Sequence, residues 1–272
     1  MLISKTAVVT GGASGIGKAL TADFISAGYK VYGVDINGEA LSELTKASPP
    51  GAFVPVIADV TNEEALRAVA QRVVKDAGAI TVWVNNAGIS GVGDFSRRPL
   101  TEWMKVLNIN LVGLVYGSKI ALEAMEEKGD GVIINMASVA GHVAAPFMTA
   151  YSASKHGVVG FTRALQAELR LKHSPVRVIM VSPGFVNTPI IAKGEISGFP
   201  EWLSGMLSTP EKVANQVMKA IRRDEAEVYP TFNGKMMIKA FRHFPKVTMK
   251  SSKLLLTKSL KDALLNRYTV PD

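Results

Sequence analysis

The amino-acid sequence predicts an α/β fold, in which a three-layer doubly wound parallel sheet has helices on both faces. Short β-branched runs alternate about six times with stretches of helical periodicity, which is the pattern of strand–helix–strand units. The runs are apolar along their whole length, as expected when both faces of a sheet are covered. A chain of 272 residues with 47% hydrophobic and 20% charged side chains can bury such a core.

Six runs are predicted to be strands of this sheet. In chain order they are Thr6–Thr10, Lys30–Asp35, Phe53–Ala58, Thr81–Asn85, Val132–Met136 and Val176–Val181. Because each is short, continuous and rich in valine or isoleucine, each is predicted to be buried on both faces.

The segments between the strands carry apolar residues at helical spacing. Within 63–77, one stripe is formed by Ala65, Leu66, Val69, Val73 and Val74. The helices predicted on this basis are Lys18–Ala27, Glu63–Ala77, Leu100–Lys128 and Tyr151–Leu171.

The alternation stops near Pro230, and the charge of the chain changes at the same place. Residues 231–272 hold nine basic and two acidic side chains, a net charge of +7 out of the total of +8. We therefore predict one α/β domain over 1–230 and a basic amphipathic helical extension over 231–272. No nucleic-acid partner is predicted, because the body is nearly neutral and the extension has no basic groove interleaved with aromatic residues.

The residue types also exclude several kinds of site. The chain has no cysteine, which excludes disulfides and thiol nucleophiles and fits a reducing compartment. Its four histidines show neither HxH nor HExxH spacing, so no metal site is predicted. The longest uncharged stretch, 131–154, contains too many polar side chains for a spanning helix. We expect a cytoplasmic protein.

A glycine-rich turn, TGGASGIG over residues 10–17, follows the first strand and opens the first helix. Glycines let the backbone approach a pyrophosphate, and the free N–H groups of a helix N-terminus attract it. The residues predicted to bind this phosphate group are Gly11, Ser14, Gly15, Ile16 and Gly17.

Asp35 ends the second strand, 18 residues after Gly17. A carboxylate at this place can accept hydrogen bonds from both ribose hydroxyls of an adenosine, and it would repel a 2′-phosphate. No arginine stands at Ala13, Ile36 or Asn37. The interpretation is a dinucleotide site for NAD rather than NADP; the alternative is that Asp35 only caps the loop before the next helix.

Four motifs in this order resemble the short-chain dehydrogenase/reductase family. They are TGGASGIG, Asp59-Val60 after the third strand, NNAG at 85–88 and YSASK at 151–155. The resemblance extends from about Lys5 to Gln216. It implies an NAD(P)-binding Rossmann fold of about seven parallel strands and hydride transfer between a nicotinamide and a carbonyl or alcohol. It also implies a homodimer or homotetramer.

The resemblance assigns further residues to the cofactor. Those at the adenine and its ribose are Asp59, Val60, Asn86, Ala87 and Gly88. Those on the nicotinamide side are Pro183, Gly184, Val186 and Thr188, together with Tyr151 and Lys155.

Tyr151 and Lys155 are four residues apart, so on a helix they share one face. A free tyrosine has a pKa near 10, and a neighbouring ammonium with a positive nicotinamide would lower it enough for Tyr151 to act as general base. Ser138, at the end of the fifth strand, is expected to donate to the substrate oxygen. The resemblance adds Asn110, which would hold a water that links Lys155 to solvent. Taken alone, a Tyr–Lys pair at this spacing is usually a solvated helix face. The glycine-rich turn, NNAG and Ser138 in their places favour the catalytic role.

The substrate side is predicted to be apolar. The segment Pro189–Ser208 is a candidate lid or, alternatively, a packed helix pair. With Phe147 and Met148 it would form a pocket for a lipophilic secondary alcohol or ketone. His142, four residues after Ser138, either lines this pocket or packs elsewhere.

The predicted function is an NAD-dependent short-chain oxidoreductase, and other functions stay open. One alternative is an NADP-dependent carbonyl reductase, and another is an epimerase or dehydratase of the same family. Those relatives usually have a different glycine motif and a larger C-terminal substrate domain. The last alternative is a non-enzymatic NAD sensor or membrane-associated scaffold, which would be expected to have lost Ser138, Tyr151 or Lys155.

The basic extension has two helical faces. The basic face holds Lys235, Lys239, Arg242 and Lys246. The apolar residues, largely on another face, are Met237, Ile238, Phe241 and Phe244. This composition is typical of a helix in a membrane interface. Peripheral membrane contact is therefore one expectation, and packing on the body or on a neighbouring subunit is the other.

Overall fold

The strands run parallel in one sheet with the order β3-β2-β1-β4-β5-β6-β7. The structure, a computed structural model, describes residues 5–188 and 207–244. The strands are β1 (Thr6–Thr10), β2 (Lys30–Asp35), β3 (Phe53–Ile57), β4 (Val82–Asn85), β5 (Gly131–Met136), β6 (Val176–Val181) and β7 (Glu227–Val228). The predicted α/β doubly wound sheet is thereby confirmed.

Helices cover both faces of this sheet. They are α1 (Gly15–Ser26), α2 (Gly38–Ala47), α3 (Glu63–Ala77), α4 (Leu100–Leu107), α5 (Gly113–Lys128), α6 (Thr149–Leu171), α7 (Pro210–Arg223) and α8 (Phe232–His243). On one face, Leu20 and Phe24 of α1 join Val217 of α7 in a single core cluster. On the other, α3 and α5 form the second cluster with Trp83 of β4 and Leu169 of α6. No helix within the described ranges is long and apolar enough to cross a membrane.

The third strand differs from the prediction of burial on both faces. Phe53 is buried, but exposed residues alternate with covered ones along β3, and Ile57 is 70% exposed. The reason is that β3 lies at the edge of the sheet, next to β2 alone. Pro55, which has no N–H to give to a second neighbour, fits an edge strand.

The predicted helix over 100–128 is interrupted. Residues Asn108–Val112 form a π-helical turn between α4 and α5. The turn brings Asn110 inward, where its amide pairs with the backbone of Ile89 at 2.8 and 2.9 Å. Single π-turns of this kind often mark functional positions within helices.

The strand order reverses between β1 and β4. Each of these neighbours leads into a loop at the same edge, because the carboxyl ends of parallel strands point the same way. The glycine-rich turn follows β1, and the residues Asn86 to Gly88 follow β4. A crevice at such a switch point is the usual ligand position in an open α/β sheet.

A chain of buried polar side chains ties α5 and α6 to the middle of the sheet. Asn85 donates to Ser118 at 3.0 Å and to Asn135 at 2.9 Å, and the Asn135 amide donates to Thr162 at 3.1 Å. Each of these four residues is at most 4% exposed. Buried amides left without such partners would cost free energy, so the network fixes how the helices sit on the sheet.

Thr162→Val should lower the free energy of unfolding by about 1–3 kcal/mol, because it leaves the Asn135 amide without its acceptor at unchanged side-chain size. The measurement is urea unfolding followed by circular dichroism. Thr162→Ser keeps the hydroxyl and is the matched control, with a smaller loss expected. Equal losses in the two variants would show that the hydroxyl is not what matters.

Candidate active site

The glycine-rich turn is held closely against the segment that follows β4. A Cβ at Gly17 would lie 2.0 Å from the carbonyl oxygen of Gly11, and a Cβ at Gly11 would lie 2.9 Å from Cα of Ala87. Gly11 also has a positive φ of 63°. Only glycine fits both positions, so the sequence of the turn is set by close backbone approach as well as by any ligand.

Thr10 and Asn86 lock this turn in place. The Thr10 hydroxyl accepts from the backbone N–H groups of Asn86 and Ala87 at 3.0 and 3.1 Å. The Asn86 amide donates back to the carbonyl oxygens of Thr10 and Gly11 at 3.0 and 3.2 Å. Sequence reasoning missed the role of Thr10, although its place as the first residue of TGGASGIG could have indicated it.

The N-terminus of α1 is open to a ligand. Ser14 precedes the helix, is exposed, and makes no side-chain capping hydrogen bond. The first-turn N–H groups at Gly15, Ile16 and Gly17 therefore have no side-chain acceptor, and the positive end of the helix dipole faces the crevice. These groups fit a pyrophosphate.

Asp35 is fixed beside the same turn. One carboxylate oxygen accepts from the backbone N–H of Ala13 at 3.2 Å and the other from that of Asn37 at 3.1 Å. The carboxylate is thus oriented by backbone donors and still has lone pairs for two hydroxyls. Ala13, which lies against it, brings no positive charge for a 2′-phosphate. A carboxylate held in this way, with no cation at Ala13, fits the adenosine ribose of NAD.

The predicted adenine residues lie on the next loop. Asp59 accepts from the backbone and hydroxyl of Thr61 at 2.9 and 2.8 Å through one oxygen. Val60 is 8% exposed, and a Cβ at Gly113 would lie 2.9 Å from its side chain. Asp59 also borders a cleft of about 460 Å³. The cleft is lined by Asp59, Thr61, Leu100, Thr101, Met104, Lys105, Asn108 and Ile109.

Three of the four predicted catalytic side chains meet at the carboxyl end of β5. The Ser138 hydroxyl is near enough to the Tyr151 hydroxyl to lower the pKa of the phenol. The Lys155 ammonium lies 5.8 Å from the centre of the Tyr151 ring and donates to the carbonyl oxygen of Met136 at 2.7 Å. Tyr151 and Lys155 therefore do share one face of α6, as their spacing predicts.

The pKa values of this pair move in directions that the sequence did not indicate. Burial raises the pKa of the Tyr151 phenol, and the Ser138 hydroxyl only partly opposes the rise. Burial also lowers the pKa of Lys155 from 10.5 to about 8. The expected lowering of the Tyr151 pKa requires the nicotinamide as well as the ammonium, and it stays a prediction. In the protein without cofactor, burial is the largest cause of both shifts.

The fourth side chain, Asn110, is buried and reaches α6 through Ser154. Its amide nitrogen donates to the hydroxyl of Ser154 at 3.1 Å, and that hydroxyl donates to the carbonyl oxygen of Tyr151 at 2.7 Å. Ser154 thus joins the π-helical turn to α6, a role that sequence reasoning missed. The water-holding role of Asn110 stays a prediction.

The segment after β6 closes the other side of the crevice. Pro183 accepts from the backbone N–H of Val139 at 2.9 Å, and the Gly184 N–H donates to the hydroxyl of Thr231 at 3.0 Å. Val186 is 3% exposed, and Thr188 is 8% exposed. The predicted lid lies outside the described residues except for its last two, Leu207 and Ser208.

The first turn of α8 packs against this segment. A Cβ at Gly234 would lie 2.5 Å from the Thr231 hydroxyl, 2.7 Å from the Val139 side chain and 3.4 Å from Cα of Gly184. The start of the predicted extension is therefore in contact with the site. The division of the chain at 230 stays a prediction. Lys246 and the residues after it lie outside the described part.

The pKa of Lys155 gives a prediction for stability against pH. Between about pH 8 and 10.5 the unfolded chain binds more protons at Lys155 than the folded chain. Over this window the free energy of unfolding of wild type should rise relative to that of Lys155→Met by about 3 kcal/mol in total. Urea unfolding at several pH values measures the difference, with the exposed Lys128→Met as control. A difference in free energy of unfolding between wild type and Lys155→Met that does not change with pH would contradict the prediction.

Known proteins resemble this chain over most of its length. A 3-oxoacyl-[acyl-carrier-protein] reductase of Thermotoga maritima is 36% identical over 231 residues, covering 83% of this chain and 93% of its own. The human 15-hydroxyprostaglandin dehydrogenase [NAD(+)] is 37% identical over 194 residues, covering 69% and 70%.

The fold and a family model point the same way. The crystal structure of a short-chain dehydrogenase/reductase from Burkholderia phymatum in complex with NAD matches with a TM-score of 0.80 at 24% identity, covering 91% of this chain and 97% of that chain. The short chain dehydrogenase family model matches residues 5–195. The chain therefore belongs to the short-chain dehydrogenase/reductase family.

Proposed function

We propose that the protein is an NAD-dependent oxidoreductase that interconverts a lipophilic secondary alcohol and the corresponding ketone, with Tyr151 as general acid and base. The observation that carries the proposal is the meeting of Ser138, Tyr151 and Lys155 at the switch-point crevice. Family membership supports an oxidoreductase acting on CH–OH or carbonyl groups. The names of two relatives, a 3-oxoacyl reductase and a hydroxyprostaglandin dehydrogenase, favour such a group on an apolar chain.

The residues of the crevice have separate tasks in this proposal. Ser138 donates to the substrate oxygen and holds it next to the Tyr151 hydroxyl. In the oxidation, Tyr151 takes the hydroxyl proton, and in the reduction it returns a proton to the carbonyl oxygen. A nicotinamide held in the crevice would supply the carbon that accepts the hydride from the carbinol carbon. Lys155 binds the nicotinamide ribose, and Asn110 holds the water that passes the proton to solvent.

The cofactor is assigned to three groups of residues. The phosphate contacts are Gly11, Ser14, Gly15, Ile16 and Gly17, and the adenosine contacts are Asp35, Asp59, Val60, Asn86, Ala87 and Gly88. The nicotinamide contacts are Pro183, Gly184, Val186 and Thr188, together with Tyr151 and Lys155. The assignment to NAD is supported by the fixed carboxylate of Asp35 and by a relative and a structural neighbour whose names include NAD.

The overall test is a panel of secondary alcohols and ketones with chains of increasing length, followed by NADH absorbance with NAD and NADP in parallel. We expect turnover with NAD and a rise of kcat/KM with chain length. Higher turnover with NADP would favour the alternative, a carbonyl reductase. Cofactor binding without turnover of any substrate would favour the non-enzymatic sensor.

Tyr151→Phe should lower kcat at least a hundredfold and leave the Kd for NAD within about twofold, because only the proton-transferring hydroxyl is lost. Turnover is followed at the NADH absorbance, and NAD binding is measured by calorimetry. Ser152→Ala, one residue away on the same helix, is the control. Turnover of the phenylalanine variant near the wild-type rate would refute the assigned base.

Asp35→Asn should weaken NAD binding roughly tenfold or more and reduce the preference for NAD over NADP. The exchange keeps the size of the side chain and removes the charge that bonds the ribose and repels a 2′-phosphate. The measurement is the Kd of each cofactor. The control is Asp130→Asn, which neutralises an exposed carboxylate just before β5, at the end of the strand opposite the crevice. If the NAD/NADP ratio of the Asp35 variant stays at the wild-type value, the carboxylate does not select the cofactor.

Peripheral contact with an anionic membrane is part of the proposal. Lys235, Lys239 and Arg242 are exposed on α8, while Met237 and Phe241 on another face are half-buried. Residues 231–261 contain no acidic side chain. Each basic residue close to an anionic bilayer contributes about 1 kcal/mol. Contact at this helix would place the crevice beside the lipid in which apolar substrates collect.

The triple variant Lys235→Gln, Lys239→Gln, Arg242→Gln should lose most of its sedimentation with phosphatidylglycerol vesicles at low salt. Removal of the whole extension is a poorer test, because Thr231 and Gly234 contact the body. The matched control neutralises three exposed lysines elsewhere, Lys46, Lys75 and Lys128. Equal binding of the two triple variants would remove the membrane proposal.

A further inference from the structure

The turn that carries Ser138 is held from two sides. Its residues Val139–Gly141 form a short 3-10 helix, and the Ser138 hydroxyl accepts from the backbone N–H of Ala140 at 3.2 Å. On one side, a Cβ at Gly141 would lie 2.5 Å from the carbonyl oxygen of Lys155, so the turn touches α6 directly. The opposite support comes from His142, the residue at which the turn ends.

His142 is joined to the ends of β6 and β7. Its Nε2 lies 3.0 Å from the hydroxyl of Ser182, which is 1% exposed. Its ring packs against that of Tyr229, with 5.7 Å between centres and 57° between planes. His142 therefore gives the buried hydroxyl of Ser182 a hydrogen-bond partner and packs against the ring of Tyr229.

Glu227 and Arg163 fix the position of the Tyr229 ring through its hydroxyl. The Tyr229 hydroxyl donates to Glu227 at 2.6 Å. Arg163 reaches both oxygens of the same carboxylate, with Nε at 2.7 Å and a terminal nitrogen at 3.1 Å. This two-point geometry is the strongest arrangement of an arginine–carboxylate pair.

The contacts form a closed chain of residues that begins and ends on α6. Arg163 lies eight residues after Lys155 on α6, about 12 Å along the axis. From Arg163 the contacts pass through Glu227, Tyr229 and His142 to the turn of Ser138. From this turn the contact returns to α6 at Gly141, where a Cβ would lie 2.5 Å from the carbonyl oxygen of Lys155.

We infer that His142, supported by Tyr229, Glu227 and Arg163, is a positioning residue that fixes the Ser138 hydroxyl against Tyr151. The inference rests on the proposed function, in which both hydroxyls contact the substrate oxygen. In the proposed reaction neither His142 nor the three residues behind it take part in the proton transfer. Their effect is on geometry, and small displacements of catalytic groups are costly because the rate depends steeply on their alignment.

The charges around His142 agree with this role. Burial lowers the pKa of its imidazole, and Arg163 and the nearby His156 lower it further, while Glu227 acts in the opposite direction. Arg163 in turn lowers the pKa of Glu227, and burial followed by Glu227 raises the pKa of Tyr229 to about 12. At neutral pH the imidazole is uncharged and pairs with Ser182. Protonation in mild acid would place a cation opposite Arg163 and loosen the turn.

The experiment compares two ion pairs at opposite ends of β6. Glu227→Gln and His142→Ala disturb the support, whereas Asp224→Asn breaks the 2.7 Å pair with Arg177 at the far end of the strand. The Asp224 backbone is left-handed with a φ of 56°, which asparagine also adopts readily. We expect roughly tenfold lower kcat in the first two variants, with KM and the Kd for NAD within about twofold. The control should keep wild-type kcat.

Two further readouts separate positioning from a general loss of stability. His142→Gln keeps a hydrogen-bonding group opposite Ser182 and should restore most of kcat. It should also remove the fall of kcat in acid that we expect in wild type from protonation of the His142 imidazole, whose pKa burial lowers. A glutamine variant as slow as His142→Ala, or with the wild-type pH profile, would overturn the inference.

Hydrogen exchange of the peptide 137–143 tests the same inference without turnover. Glu227→Gln and His142→Ala should speed exchange of the Val139, Gly141 and His142 amides, whereas Asp224→Asn should not. Unchanged exchange would overturn the inference even if kcat fell. If wild type oxidises no alcohol with NAD, the proposed function fails, and faster exchange would still identify the support of the turn.

Discussion

The docking of α6 on the sheet is the interaction on which the rest of the site depends. The helix is fixed at Lys155, whose ammonium donates to Met136, and about two turns later at Thr162, which accepts from Asn135. Both partners belong to β5, the strand that ends just before Ser138. Since Tyr151 lies one turn before Lys155, the same contacts that pack the helix also set the distance between the tyrosine and the serine.

This arrangement places two ionisable groups where neither charged form is well solvated. Burial lowers the pKa of Lys155 to about 8 and raises that of Tyr151. A side chain with these shifts destabilises the fold in its charged state, and such strain is common at active sites. In the proposed reaction the cost is useful, because a positive nicotinamide close to the phenol would favour the phenolate that burial alone opposes.

The cofactor side of the crevice is built from backbone contacts and is largely independent of α6. Thr10 and Asn86 lock the glycine-rich turn against the end of β4, and Asp35 is oriented by two backbone N–H groups. The two halves meet where the strand order reverses. On the substrate side, the contact of Gly234 with Val139 and Gly184 brings a basic helix next to the catalytic turn, which links the site to the proposed membrane surface.

The sequence alone determined the fold and most of the crevice, since buried strands, a glycine-rich turn and the Tyr151–Lys155 spacing are local patterns whose geometry follows from the period of strand and helix. Tertiary structure decided the remainder. That β3 is an edge strand depends on sheet order, and the inward turn at Asn110 depends on the loop of Ile89. The pKa shifts of Tyr151 and Lys155, and the support of His142 by residues about 20 to 90 positions away, arise from burial and long-range contacts. No local pattern encodes these, because desolvation depends on what the rest of the chain places around a group.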